Sequence, residues 1–308
     1  MAVKIAFINF KGGVAKTITA VNFAAVLAER GYKTLIVDLD PQSNASLWLL
    51  GGEREGTRFI ARLGEPHKTV YQLFLDFLDG THHFRFADAV IKAVVKDDRG
   101  FSITPNLDLL PNTYEAIELE SRLAGGRLGG LLGVDILKRQ LENVQESYDF
   151  IIFDCAPNLY LTTINALIFS NYYVIPVNPD YFSRSGLIIL CRQIKKIWDR
   201  CSKLSDDDLE LLGVLITRIK EGAMLDIGRK VYLERGLKEL IAEGTVSSNA
   251  VLFKTYFNDT VYVPRSIEAG VPTIYYQRSY PPIAEYIGRL NSFTDEALQI
   301  MKNRFTNI

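Results

Sequence analysis

The sequence predicts an α/β fold, one mostly parallel, twisted sheet with helices on both faces. Three observations lead there. Apolar strand-like runs recur at 3–9, 33–38, 107–111, 149–153, 172–177 and 211–217, and strands this apolar are covered on both faces. Helical periodicity fills much of the space between them, as in Ala20-Val21-Asn22-Phe23-Ala24-Ala25-Val26-Leu27-Ala28. Finally, Gly12-Gly13, Asp40 and Asp154 each fall at the end of a strand run, the edge where such sheets bind ligands.

At 308 residues the chain can bury a large core, and no repeat, low-complexity tract or clear linker divides it. One domain over 1–308 is expected, with a variable segment at about 51–106. No run of about 18 apolar residues predicts a spanning helix. Lys11-Gly12-Gly13 interrupts the N-terminal apolar run, so a secretory leader is not expected. Cys155, Cys191 and Cys201 are widely spaced with no CxxC pair, which suits a reducing cytoplasm and gives no metal or disulfide framework. Thirty-five basic against 36 acidic side chains leave a net charge of −1. That balance argues neither for nor against nucleic acid, because binding depends on a local patch.

The first strand, Val3-Lys4-Ile5-Ala6-Phe7-Ile8, runs into Lys11-Gly12-Gly13-Val14-Ala15-Lys16-Thr17, and a helix opens at Lys16. Strand, glycine-containing loop and helix N-terminus form the context of a phosphate-binding loop, where successive backbone N–H groups and the helix dipole face the anion. Lys16 then reaches the terminal phosphates and the Thr17 hydroxyl is placed to ligate Mg²⁺. A second lysine, Lys11, opens the loop, and an ordinary phosphate loop has no need of it. The next strand, Thr34-Leu35-Ile36-Val37, leads to Asp38-Leu39-Asp40-Pro41-Gln42. Beyond it, Gly51 to Gly56 reads as a loop and Val70 to Leu78 as a short amphipathic helix. His82 and His83 are adjacent, point apart on a helix or strand, and have no third ligand nearby, so a metal site is not expected.

Five ordered segments carry a resemblance. The loop matches KGGxGK[ST], Asp38 to Gln42 matches DxDPQ, and Tyr148 to Pro157 matches a Walker B strand ending in D-x-[AP]-P. Pro176-Val177-Asn178-Pro179-Asp180-Tyr181 matches the segment after the next strand, and Pro264 to Pro272 is similar to IPR…EA…GxP. Over about residues 3 to 290 the chain resembles the ParA/MinD family of deviant Walker A ATPases, closest to the ParA/Soj type. The resemblance implies a P-loop NTPase fold, ATP and Mg²⁺ as cofactors, and a homodimer on ATP binding in which Lys11 crosses to the partner's phosphates. It implies catalytic roles for Lys11, Lys16 and Asp40, with Asp40 positioning the attacking water. Metal would be held by Thr17, by Asp154 through a water, and by Asp40 with Asp38 as neighbour.

The nucleotide is expected along Lys11, Gly12, Gly13, Val14, Ala15, Lys16, Thr17 and Ile18. No Asn-Lys-x-Asp guanine signature occurs, and Pro179, Asp180, Thr217 and Arg218 are read as the base pocket. Two departures from the family pattern stand out. Ala15 replaces its third loop glycine, costing of order 1 kcal/mol if the position needs positive φ. Ile18 replaces a usual threonine that is not the Mg²⁺ ligand. The resemblance also implies nonspecific double-stranded DNA and a ParB-like stimulating protein as partners, in a cytoplasmic, nucleoid-associated setting. Arg192, Lys195, Lys196, Arg200 and Lys203 could form a phosphate-facing stripe, although Asp199 interrupts it and a solvated helix face fits equally. Lys254 and Arg265 belong to a second basic set. A MinD-like membrane or protein-cargo cycle is the alternative, but the mixed charge of Asp295 to Phe305 favours packing against the body, so stable membrane association is not expected.

Overall fold

The computed structural model describes residues 1–52, 68–97, 100–125, 133–220, 227–276 and 281–302. Much of the loop read at 51–56 therefore lies outside the described residues. Seven parallel strands form one sheet in the order β3-β2-β4-β1-β5-β6-β7. They are β1 (Val3–Phe7), β2 (Thr34–Asp38), β3 (Leu107–Leu110), β4 (Phe150–Asp154), β5 (Tyr172–Val177), β6 (Glu210–Ile219) and β7 (Val251–Asn258). Six occupy the apolar runs of the sequence. The seventh was not among them. Val251-Leu252-Phe253-Lys254-Thr255-Tyr256-Phe257-Asn258 lies at the sheet edge, with an exposed Lys254, and so lacks the continuous apolar signature of a strand buried on both faces.

The strand period of two sorts the core into two layers. Val3, Ile5 and Phe7 of β1, with Phe150 and Ile152 of β4, face α1 (Lys16–Glu29) and the long C-terminal helix. Ala6, Ile151 and Phe153 face the opposite layer. That layer includes α3 (Val70–Asp79), α6 (Ile136–Leu141), α7 (Leu161–Phe169), α8 (Ser183–Cys201) and α9 (Ile227–Ala242). The short helices α2 (Asn44–Leu49), α4 (Phe86–Ala89), α5 (Ala116–Gly125) and α10 (Tyr262–Glu268) complete the set with α11 (Pro281–Lys302). The tail packs on the body, as its mixed charge predicts: Phe293, Ala297 and Met301 of α11 are buried with α1 and β7.

Phe293 centres an aromatic cluster, 4.9 Å from Phe253, 5.3 Å from Phe23 and 5.8 Å from Phe257 between ring centroids. Phe293→Ala is expected to cost about 3–5 kcal/mol, since three rings lose a common partner and the site cannot collapse around the void. Urea denaturation checks it; a loss under 1 kcal/mol would mean that α11 does not hold this layer together.

Candidate active site

Parallel pairing places the three acidic and glycine segments side by side. In register, Asp154 stands opposite Phe7 of β1 on one side and Asp38 of β2 on the other. The loop after β1, the Asp38–Asp40 segment after β2 and Asp154 at the end of β4 therefore meet at one edge. β1 lies between β4 and β5, and α1 begins directly over this edge.

The loop turns through Gly13 at φ 71° and Ala15 at φ 60°. Ala15 thus occupies the left-handed conformation for which glycine is the relaxed choice, and its methyl group is retained at a cost of about 1 kcal/mol. Two groups at the end of β6 hold the loop backbone. The Thr217 hydroxyl donates to the Val14 carbonyl at 3.0 Å, and the Arg218 guanidinium donates to the Gly13 carbonyl at 2.9 Å. Lys16 is buried, and its Nζ donates to the Lys11 carbonyl at 3.2 Å. Burial pushes the Lys16 ammonium below its ordinary pKa, against the attraction of Asp154 and Asp40.

Asp154 is fully buried, and neither carboxylate oxygen has a hydrogen-bond partner among the described residues. Burial first, then the nearby Asp38, raises its pKa well above the carboxylate range; the Thr17 hydroxyl beside it eases this only in part. Asp38 is equally buried but fully engaged. Its Oδ1 accepts the Asp40 N–H at 3.1 Å, and its Oδ2 accepts the Ser46 N–H at 2.8 Å and the Ser46 hydroxyl at 2.6 Å. Burial, opposed by the Ser46 bonds, leaves its pKa at about 7. Asp38 therefore anchors the turn into α2, with both oxygens accepting from protein donors, while it stands as the charged neighbour of Asp154. Ser46 was not singled out from the sequence, where nothing marks a serine eight residues downstream as its partner.

Asp40 faces the cavity with its Oδ1 accepting the Gln42 N–H at 2.9 Å. Burial raises its pKa, while the Gln42 bond and Lys16 pull it down. Cys155 is a packed, fully buried thiol whose pKa burial drives far up, as a small core side chain requires.

The cavity above these groups has a volume of about 1000 Å³. Gly12, Gly13, Ala15, Lys16, Thr17 and Ile18 form one end, and Asp40 one side. Of the four residues read as the base pocket, Arg218 lines the cavity, and Pro179, Asp180 and Thr217 do not. Thr217 is buried behind the loop, and Asp180 is bound to Lys11. The far walls instead come from the end of β7 and from helices α10 and α11: Phe257, Asn258, Asp259, Val261, Pro264 and Tyr286. Asp259 pairs with Arg218 at 3.0 Å, and the buried Asn258 Oδ1 has no partner among the described residues. β7 was missing from the apolar runs, so its end was not weighed as a wall.

The basic residues divide. Arg192 pairs with Glu239 of α9 at 3.2 Å and with Glu243, just past its end, at 2.6 Å, and Lys195 pairs with Asp199. The expected stripe is therefore partly neutralised, leaving Lys196, Arg200 and Lys203 exposed on its far part. Lys254 on β7 and Arg265 on α10 are exposed and lie apart from α8 in the fold.

A buried lysine and a left-handed loop at a helix N-terminus, facing an orphaned carboxylate, define a P-loop nucleoside-triphosphate-binding protein with an additional loop lysine. The AAA domain family model matches residues 2–208. The sporulation initiation inhibitor protein Soj of Bacillus subtilis is 33% identical over 282 residues, covering 88% of this chain and 90% of that one. The chromosome-partitioning ATPase Soj of Treponema pallidum is 30% identical over 302 residues, covering 93% and 97%. The chain belongs to the ParA/MinD family of P-loop ATPases. Among solved structures, pNOB8 ParA superposes with a TM-score of 0.74 at 18% identity over 99% of this chain and 100% of that one. Apo McdA from Cyanothece gives 0.67 at 20% identity over 97% and 100%, and both show the shared fold.

Proposed function

We propose that the chain is a Mg²⁺-dependent ATPase whose ATP-bound form pairs face to face with a second copy and binds duplex DNA without sequence preference. A ParB-like partner then stimulates hydrolysis and releases the DNA, so that a plasmid or chromosome is partitioned in the cytoplasm. The observation that carries this reading is the buried, unpartnered Asp154 carboxylate beside Thr17 and Lys16. Such a group needs a cation to balance it. The donor set is all oxygen, as Mg²⁺ prefers, and its Thr17 lines the phosphate end of the cavity.

In this reading Thr17 and Asp154 hold the ion, Asp154 through a water. Bound Mg²⁺ would neutralise charge on the terminal phosphates. Lys16 and the backbone N–H groups of the loop and α1 grip the phosphates, Lys11 reaches the nucleotide of the second copy, and Asp40 orients the attacking water. Asn258 and Phe257, on the cavity wall with Arg218, are further groups for the base. The chain's similarity to the Treponema pallidum chromosome-partitioning ATPase supports the partition role. An ATP complex of Cyanothece McdA with its D38A substitution supports the nucleotide.

Asp154→Asn separates the ion from the fold. Removing the stranded charge is expected to raise the stability of the nucleotide-free protein by about 1–2 kcal/mol at neutral pH, while Mg²⁺-dependent nucleotide binding weakens at least ~10-fold. Unchanged Mg²⁺ dependence would remove Asp154 from the metal site. The function itself is tested by duplex-DNA binding without nucleotide and with ADP, ATP or a slowly hydrolysed analogue, at low and moderate salt. ATP-dependent, salt-sensitive binding is expected. Binding in no state, with ATP-dependent pairing intact, would overturn the DNA reading in favour of a membrane or protein cargo.

A further inference from the structure

We infer that Asp180 is a positioning residue for Lys11: it holds the lysine within its own protomer until a second copy brings a nucleotide phosphate to take the carboxylate's place. This rests on the face-to-face pairing proposed above. Lys11 Nζ lies 2.9 Å from Asp180 Oδ1 and 3.0 Å from Oδ2. Gly12 and Gly13 line the nucleotide cavity and Lys11 does not, so the ammonium is turned away from its own protomer's phosphate site.

Both partners are fixed at the backbone. The Lys11 N–H donates to Asn9 Oδ1 at 3.0 Å, and Asn9 Nδ2 donates to the Pro176 carbonyl at 2.7 Å, tying the loop to the end of β5. Asp180 Oδ1 also accepts the Phe182 N–H at 3.0 Å and the Ser183 hydroxyl at 2.8 Å, at the start of α8. The side chains of the pair remain 38% and 45% exposed. An exposed ion pair is weak and exchangeable. A polyphosphate offers the same ammonium more negative charge and several charge-assisted bonds, so it wins the exchange once it is brought close. The pair is flanked by Tyr181 and Phe182, 91% and 67% exposed and packed edge to face at 5.3 Å. An apolar pair so placed suits burial against a second copy that comes to the loop.

Two such pairs break for each dimer formed, so the pairing raises the ATP concentration needed for dimerisation. Asp180→Asn keeps an oxygen for the Phe182 N–H and Ser183 while removing the charge. The expected result, by light scattering or sedimentation across an ATP titration, is a dimer dissociation constant about 2- to 30-fold lower than wild type. Asp180→Glu, which restores the charge, should return the threshold toward wild type. In nucleotide-free protein, Asp180→Asn should also raise the labelling rate of Lys11 by an amine-reactive reagent, read by mass spectrometry, which a merely structural Asp180 would not change. A wild-type threshold and unchanged labelling in Asp180→Asn, while wild type pairs with ATP and Lys11→Ala does not, would overturn the inference alone. ATP-dependent pairing by Lys11→Ala at the wild-type threshold would overturn the face-to-face reading itself.

Discussion

Lys16→Ala is expected to abolish useful nucleotide binding, weakening ATP by about 100-fold or more. The ammonium is buried at the floor of the cavity, within the loop whose N–H groups face the phosphates. Charge-assisted bonds are worth about 1.5–3 kcal/mol, and more where water is excluded. Lys16 is also the cation that attracts Asp154 and Asp40, so its removal leaves two buried carboxylates facing the same phosphates. Both losses act in one direction. Equilibrium binding of a fluorescent ATP analogue, with circular dichroism to confirm the fold, measures it. A dissociation constant within about threefold of wild type would place the phosphates elsewhere.

The second large effect is on turnover. Asp40→Ala should leave ATP binding and pairing intact while hydrolysis falls by about 10²–10⁴, the range for a positioned proton-handling group. The Asp40 carboxylate accepts the Gln42 N–H, its carbonyl accepts the Ser43 N–H and the Asn112 amide, and its own N–H donates to Asp38, so among the described residues none of these bonds runs to the phosphate loop. Removing its carboxylate therefore spares the phosphate grip. Asp38→Ala is a different experiment, since it strips the Ser46 and Asp40 backbone of their acceptor and loosens α2. Phosphate release in single-turnover conditions separates the two. Normal hydrolysis by Asp40→Ala would remove it from the water-positioning role.

Sequence legibility followed burial. Strands covered on both faces announced themselves as apolar runs, and the loop, the Asp40 segment and Asp154 were readable because each follows such a run. β7 is hidden because an edge strand carries Lys254, Thr255 and Asn258, and its pairing with β6 shifts register along this stretch. The cavity wall formed by Phe257 and Asn258 is hidden for the same reason, since it is the end of that strand. Pairings across elements are illegible in principle: nothing in the periodicity of α8 tells that Glu239 of α9 and Glu243 just after it will occupy Arg192. Asp180 was seen as a neighbour of the base because it follows β5, yet the fold turns its carboxylate toward Lys11. Ala15 was the reverse case, where one residue type out of pattern pointed to a left-handed backbone position that the structure contains.

The walls of the nucleotide cavity come from segments far apart in the sequence. The phosphate loop ends at Thr17, whereas Phe257, Pro264 and Tyr286 lie more than two hundred residues further on. Trp48 bridges a similar span: its indole N–H donates at 2.8 Å to the Val271 carbonyl, more than two hundred residues away. Contacts this distant in sequence form late and slowly. The cavity is therefore a product of the finished fold. A nucleotide held between its walls adds its binding energy to that fold alone, and so acts as a clamp on the folded state.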